Sequence, residues 1–394
     1  MKIVIDAFRA MLRKTGVGCY VRHLILQLAE LDPENNYYLF DSLYGSQLYS
    51  MVRMTADLSV VRRFFRTSLI PFPFVTLSRG LLFLQNALSG RNARLEEADI
   101  FFGTDYRGIF DKNLKNVITI HDLAHIHFPD STEKASLSYL KNRLPEVAQK
   151  SDFLIAVSEA TKKDIVEYLG VSESKLKMIH LGVDDSFRPI KDSALKASVR
   201  LHYGLPERFI LYLGTIEPRK NVGGLIRAYA RLCEEKSPEH SLVIAGGTGW
   251  KSKGLTALVK NLGVERRVHF IGYVDESDLP ILYNLADLFA FPSLYEGFGL
   301  PVLEAMACGV PVVTSNVSSL PEVVGDAAVL VDPHSVDDIA EGMRRLLSGN
   351  ELRQRCIDRG LERAKLFTWE KCAKETIAVF EKVMGRDNAV VQSR

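Results

Sequence analysis

Phe291-Pro292-Ser293-Leu294-Tyr295-Glu296-Gly297-Phe298-Gly299-Leu300-Pro301-Val302-Leu303-Glu304-Ala305-Met306-Ala307-Cys308-Gly309 reads as the end of a buried strand, a glycine-rich turn and a short helix. Pro301 suits the first turn of a helix, where its missing N–H costs nothing, and Gly309 suits the position just past the helix end. Glu304 then lies early in the helix and Glu296 on the loop before it. The N–H groups around Gly297, Phe298, Gly299 and Leu300 form a cradle at the helix N-terminus. Two carboxylates beside such amides are a good set for reading sugar hydroxyls, because each carboxylate accepts more than one hydroxyl proton. The plainer alternative, Glu304 complementing the helix dipole and Glu296 capping the turn, stays open on these residues alone.

The strand–turn–helix pattern recurs in both directions from this window, as a parallel α/β sheet requires. The second half reads as strands at Phe209 to Leu213, Leu242 to Ala245, Val268 to Ile271, Leu288 to Phe291 and Val310 to Thr314. The first half repeats the pattern at Lys2 to Asp6, Tyr37 to Asp41, Asp99 to Phe102, Val117 to Ile120, Phe153 to Val157 and Leu176 to Ile179. Between the halves, Gly182 to Pro189 and the polar stretch to Pro206 mark the boundary. With 394 residues the chain has room for two domains, each with its own core. We therefore expect an α/β protein with one domain at 1–188, a second at 200–366, and a closing helix at 368–386 that packs back on the first.

Composition narrows the function classes. Apolar residues make up 47% and charged residues 25%, which excludes a disordered or fibrous chain. Fifty basic and 48 acidic residues leave a formal charge of +2, so no bulk case for nucleic-acid binding exists. Five scattered cysteines without a CxxC pair fit a reducing compartment, so a cytoplasmic location is expected. One segment departs from the average: Arg53 to Arg94 holds seven arginines against a single acid, Asp57. Its apolar part, Ser68 to Gln85, is interrupted by Pro71, Pro73, Arg79 and Gly80 too early to span a bilayer. It is equally compatible with peripheral contact on an anionic membrane and with a core helix carrying solvated arginines.

Arg219 and Lys220 follow a strand end and Pro218, with Asn221 placed to cap the next helix. Cations at the carboxyl end of a parallel sheet lie where such sheets bind ligands, and with a helix N-terminus they could hold a diphosphate without a metal. Gly16-Val17-Gly18, opening a helix to about Leu31, is a partial dinucleotide fingerprint, and Asp41 stands where its ribose-binding acid would. Val21 in place of the third glycine, and the long gap after the first strand, disfavour an oxidoreductase. His121-Asp122, His125 and His127 follow the strand Val117 to Ile120, but their spacing matches no known zinc pattern.

Glu296 and Glu304, with seven residues between them inside Tyr-Glu-Gly-Phe-Gly-Leu-Pro, resemble the paired-glutamate motif of retaining glycosyltransferases of family 4. The resemblance continues in Leu213 to Asn221, Ala245-Gly246-Gly247, Ile271 to Val274, Leu320-Pro321-Glu322 and Phe367 to Glu370, covering nearly all of the second half. In the first half it is carried by Thr15 to Gly18, His121-Asp122 and Val157 to Thr161. Within the family the chain is most similar to the bacterial mannosyltransferase B type of O-antigen enzyme.

The resemblance implies a GT-B fold, with two Rossmann-like domains facing across a cleft, and transfer of a hexose with retention. The implied donor is GDP-mannose and the implied acceptor a saccharide or lipid-linked saccharide of a bacterial surface glycan. A UDP-sugar-dependent transferase and a catalytically silent nucleotide-sugar-binding protein are the alternatives. No metal and no cofactor beyond the nucleotide sugar are implied. Lys220 and Arg219 would stabilise the departing diphosphate, Glu304 would take the ribose hydroxyls and Glu296 the donor sugar. Tyr273 and Val274 would meet the base through main-chain groups, Gly16 and Gly18 would lie near the donor phosphates and the acceptor, and His121 would lie beneath the transferred sugar. One position departs from the pattern. Many members carry arginine directly after the strand-ending glycine, where this chain has Thr215, so either Arg219 substitutes or the diphosphate is held less tightly.

Overall fold

The computed structural model describes residues 1–11, 16–42, 49–53, 97–132, 134–235, 239–247 and 254–386. The chain divides into two compact units, the first comprising Met1–Leu123, Ser138–Gly182 and Trp369–Arg394 and the second Ala124–Leu137 and Val183–Thr368. The units therefore differ from a simple split near 188, because Ala124–Leu137 groups with the second unit.

The first unit is built on one sheet of strands β1 (Lys2–Asp6), β2 (Asn36–Ser42), β3 (Tyr49–Arg53), β4 (Ile100–Gly103), β5 (Lys115–Ile120), β6 (Phe153–Ala156) and β7 (Leu176–Met178). Their order is β3-β2-β1-β4-β5-β6-β7, parallel throughout except that β3 runs antiparallel to β2 at the edge. The second unit holds β8 (Phe209–Leu213), β9 (Ser241–Ala245), β10 (Val268–Gly272), β11 (Leu288–Phe291), β12 (Val312–Ser315) and β13 (Val329–Val331), in the order β10-β9-β8-β11-β12-β13. Both sheets thus reverse their winding direction beside their first strand, at β1/β4 and at β8/β11. That is the switch point at which doubly wound sheets open a crevice outside the strand ends.

Strand chemistry explains the arrangement. The four residues of β11 are all fully buried, as expected of a strand covered on both faces. Leu288 and Phe289 pair with Ile210 and Leu211 of β8, which sets the register of the switch point.

Two strands have no counterpart in the sequence reading. The short β13 is a three-residue sheet edge whose middle residue, Leu330, is exposed, so its apolar run is too brief to mark a strand by itself. The edge strand β3 pairs antiparallel with β2, so the parallel strand–helix alternation does not mark it. Beyond Arg53, the arginine-rich segment to Arg94 lies outside the described residues. Among the described residues no helix is long and apolar enough to cross a membrane.

The helix Trp369–Val383 buries Trp369, Cys372, Ala373, Thr376, Val379 and Phe380, a stripe at helical spacing, against the first unit. Trp369 stacks on His23 of the helix Gly16–Leu31 at 5.0 Å, and Phe380 meets Phe102 of β4 edge-on at 5.2 Å. Phe380→Ala removes a fully buried ring, so denaturant titration should show a loss of about 3–5 kcal/mol. An unchanged midpoint would mean that this helix contributes nothing to the first unit's core.

Candidate active site

The turns after β8 and β11 meet at the switch point of the second unit. Gly214 donates its N–H to Ala245 O at 3.0 Å, and Gly246 donates to Gly272 O at 2.7 Å. Gly246 has φ +135°, and a Cβ there would stand 2.0 Å from the Gly214 carbonyl oxygen, so only glycine lets these strand ends converge. Tyr273 and Val274 follow directly on β10; Val274 is buried and Tyr273 partly exposed.

Past Gly214 the chain makes a single tight turn, Pro218–Lys220, and closes it at Asn221 with φ +55°. The Asn221 side chain also ties the turn to more distant chain. Its Nδ2 donates to Pro292 O at 3.1 Å and Pro333 O at 2.7 Å, fastening the turn to the loop after β11. That loop is pinned from several directions. The Leu294 N–H donates to Arg219 O at 2.8 Å, and the Glu296 N–H donates to Ser318 Oγ at 3.0 Å. The Ser319 hydroxyl reaches the carbonyls of Glu296 at 2.9 Å and Phe298 at 2.8 Å. The Glu296 amide is therefore part of the loop's own framework, not of an open anion cradle.

Lys220 Nζ donates to both oxygens of Glu296, at 2.6 and 2.8 Å, and lies 5.2 Å over the Phe291 ring. Arg219 Nη1 donates to Glu296 Oε2 at 3.1 Å and Tyr295 O at 2.7 Å, while its Nη2 donates to Glu217 Oε1 at 2.7 Å. Side-chain exposure is 13% for Lys220 and 8% for Glu296, so this ion pair is largely dry. Burial alone would raise the Glu296 carboxyl pKa, but the charges of Lys220 and Arg219, with hydrogen bonds from Lys220 and Ser293, hold it below the ordinary range. Burial pushes the Lys220 ammonium down; Glu296 opposes that push and Arg219 adds to it.

Glu304 sits in different surroundings on the helix Leu300–Ala307, which ends with Gly309 at φ +72°. It accepts the Tyr283 hydroxyl at 2.8 Å on Oε2. Burial raises its pKa to about 8; the Tyr283 hydrogen bond opposes this, and Asp184 and Glu276 reinforce it. The two acids are thus pushed in opposite directions, Glu296 toward its ionised form and Glu304 toward its protonated one. His127 also belongs to this unit, with its ring 4.7 Å from that of Tyr295.

In the first unit, His121 follows β5, the strand next to the β1/β4 switch point. Its Nε2 contacts the Thr104 carbonyl at 2.8 Å, and since a carbonyl can only accept, Nε2 carries the proton. Burial lowers the His121 pKa, against Asp105, the Thr104 carbonyl and Asp122. Its backbone carbonyl accepts the Thr161 hydroxyl at 3.3 Å, while Ser158 caps the helix Glu159–Leu169 through the Thr161 N–H at 3.0 Å. Gly16 and Gly18 begin the helix Gly16–Leu31, with Gly18 buried. Among the described residues no three His, Cys, Asp or Glu side chains group as a metal ion would require.

Sequence reading missed Tyr283, Glu217, Ser318 and Ser319. Glu217 was within reach, since it lies in the same Leu213 to Asn221 stretch as the two cations. Tyr283 carries no local signal, because its partner is 21 positions away.

Residues 15–187 match the family profile described as Glycosyltransferase Family 4, and residues 201–363 that described as Glycosyl transferases group 1. The chain is 36% identical over 265 residues to the O-antigen chain mannosyltransferase B of Escherichia coli, covering 67% of this chain and 70% of that protein. This chain is a member of glycosyltransferase family 4. It is also 34% identical over 249 residues to the serotype-specific mannosyltransferase WbdA of E. coli, across 62% of this chain and 30% of that longer one. Its fold matches that of sucrose-phosphate synthase from Thermosynechococcus elongatus, with a TM-score of 0.71 at 21% identity over 98% of this chain and 99% of the other. HepE of Anabaena, solved with UDP and glucose, gives a TM-score of 0.68 at 19% identity over 97% and 100%. The fold is therefore GT-B and the chain is a glycosyltransferase, with the Glu296 and Glu304 loop inside the group 1 region.

The state of Glu304 has a measurable consequence. Its folded pKa lies above the unfolded one, so its contribution to stability is fully present below about pH 4.5 and is lost as pH rises through about 8. Glu304→Gln should remove that loss. The melting temperature of the variant should gain on wild type between pH 5 and pH 9, as read by calorimetry; parallel curves would show that Glu304 ionises normally.

Proposed function

We propose that this family 4 transferase moves mannose from GDP-mannose, with retention and without a metal, onto a saccharide or lipid-linked saccharide in bacterial surface-glycan synthesis. The observation that carries the reading is the buried Lys220–Glu296 pair at the β8/β11 switch point. Likeness to O-antigen mannosyltransferases supports the sugar and the kind of acceptor. Five scattered cysteines without a CxxC pair fit work in the cytoplasm, at the inner face of the membrane if the arginine-rich segment engages lipid.

In this reading the sugar leaves as a cation while negative charge develops on the nucleoside diphosphate, and Lys220 faces that charge. Its ammonium directs two hydrogen bonds to Glu296, and turning one of them to a phosphate oxygen leaves the other on the carboxylate. Glu296, kept ionised, accepts hydroxyls of the donor sugar, and Glu304 takes the ribose diol. The main chain at Tyr273 and Val274 meets the base. Gly16 and Gly18 are assigned to the donor phosphates and the acceptor. The Nε2–H of His121 is committed to Thr104, so Nδ1 is the ring atom that accepts a hydroxyl of the transferred sugar. A double displacement would need a carboxylate nucleophile beside the anomeric carbon. The reading assigns none; a donor phosphate oxygen takes the acceptor proton, and no side chain acts as general base.

Purified protein should release GDP slowly from GDP-mannose without acceptor and should leave UDP-glucose unturned. Lys220→Ala should lower that rate by about 10²–10³-fold, or about 2.7–4 kcal/mol of barrier. Turnover of UDP-glucose alone would overturn the donor, and an unimpaired variant would overturn the role of Lys220. The two glutamates should separate by calorimetry. Glu304→Gln weakens free GDP, whereas Glu296→Gln removes an anion beside the phosphate site and leaves GDP bound no less tightly while raising the KM for GDP-mannose. Equal losses of GDP affinity would overturn this division.

A further inference from the structure

Two neighbouring cations at the switch point have unlike surroundings. Lys220 pairs with the Glu296 carboxylate and lies over the face of Phe291. Arg219 lies between two carboxylates, at 2.7 Å from Glu217 and 3.1 Å from Glu296, and also donates to the Tyr295 carbonyl at 2.7 Å. Its backbone carbonyl takes the Leu294 N–H at 2.8 Å, with the Ser293 hydroxyl at 3.1 Å. Side chain and main chain of Arg219 thus both stitch the turn after β8 to the loop after β11.

Turning the Arg219 guanidinium onto a phosphate would strand Glu217, whose side chain is only 17% exposed, and would loosen the Tyr295 carbonyl. A largely buried carboxylate that loses its partner costs more than a surface one, so the exchange is unfavourable. For Lys220 the exchange is cheap, because Glu296 keeps Arg219 when the ammonium turns away. The planar fork of arginine suits bridging two carboxylates in a fixed geometry, as an ammonium does not.

We infer that Arg219 is a positioning residue and not a ligand of the leaving diphosphate: anchored by Glu217, it holds the Glu296 carboxylate and the Tyr295 carbonyl in place while Lys220 turns to the leaving group. Glu217 is the second member of this device. The inference rests on the roles proposed above for Lys220 and Glu296, and it answers the question raised by Thr215. Arg219 does not replace the missing arginine, so in this reading the diphosphate is held by Lys220 with main-chain groups.

The test compares binding of GDP and GMP with turnover of GDP-mannose for wild type, Arg219→Lys, Arg219→Met, Glu217→Gln and Lys220→Ala, each checked for an intact melting transition. Lys220→Ala should cut the preference for GDP over GMP by about tenfold or more, as loss of a charge-assisted contact does. Both Arg219 variants should keep GDP affinity within about twofold of wild type yet lose about 10²-fold in kcat/KM for GDP-mannose, as a misplaced reacting geometry does. Arg219→Lys should not rescue that loss. Glu217→Gln should show the same split in weaker form. If Arg219→Met fails to fold, Arg219→Lys and Glu217→Gln carry the test. Loss of GDP preference in an Arg219 variant equal to that of Lys220→Ala would overturn the inference, as would tighter GDP binding by Glu217→Gln, which would mean that a freed Arg219 takes the phosphate. Wild-type protein that binds neither GDP nor UDP would overturn the proposed function instead.

Discussion

The buried ion pair between Lys220 and Glu296 is the constraint on which the rest of the site depends. Taking a carboxylate and an ammonium out of water costs several kcal/mol per ion, and geometry must return it. Here the return comes from two short contacts by Lys220 and one by Arg219 on the same carboxylate. One carboxylate facing two cations gains more than either cation does, which is why Glu296 stays ionised in spite of its burial while Lys220 is pushed down. The pair also decides chain geometry. Its partners lie 76 positions apart, and they meet because β8 and β11 are neighbours at the point where the sheet's winding reverses. A sheet wound in one direction only would put two strands, β9 and β10, between them.

Glu304 shows the same physics with the opposite outcome. It has burial without a cation, and a tyrosine hydroxyl is too weak a partner to keep its charge. The two glutamates are only eight positions apart, yet their environments assign them different work. An ionised acid held rigidly suits repeated hydrogen bonding to a sugar. A protonated acid can both donate and accept, and it carries no charge that would repel an approaching nucleotide.

Much of this was legible in the sequence because its signals are local. Pro301 and Gly309 bracket a helix by their own backbone preferences, and the apolar run Leu288 to Phe291 announces a strand buried on both faces. The grouping of Glu296, Lys220 and Arg219 was legible only through the order of strands, which the strand–helix alternation implies without fixing which ends adjoin. What stayed hidden depends on long-range partners or on edges. Asn221 looks like a helix cap by position, and nothing local announces that its Nδ2 donates to the distant carbonyls of Pro292 and Pro333. Ala124–Leu137 reads as a loop of the first half, yet His127 finds an aromatic partner in Tyr295. Edge strands lack the double-sided burial that makes a central strand obvious.

Glu217, Arg219, Lys220 and Glu296 together sum to zero charge. A site meant to hold an anion by bulk attraction would carry an excess of cations, and this one does not. In the reaction proposed above, selectivity for a leaving diphosphate then comes from exchange, in which an ammonium swaps one of two carboxylate hydrogen bonds for one to a phosphate oxygen and the carboxylate remains compensated. Such an exchange gives little affinity for the ground state, because the hydrogen bond to phosphate only replaces the one to Glu296. Its benefit grows as charge builds on the departing oxygen, when the phosphate becomes a stronger acceptor than the carboxylate it displaced. A neutral cluster of fixed geometry therefore favours the transition state over the bound donor, which is the difference that accelerates a reaction.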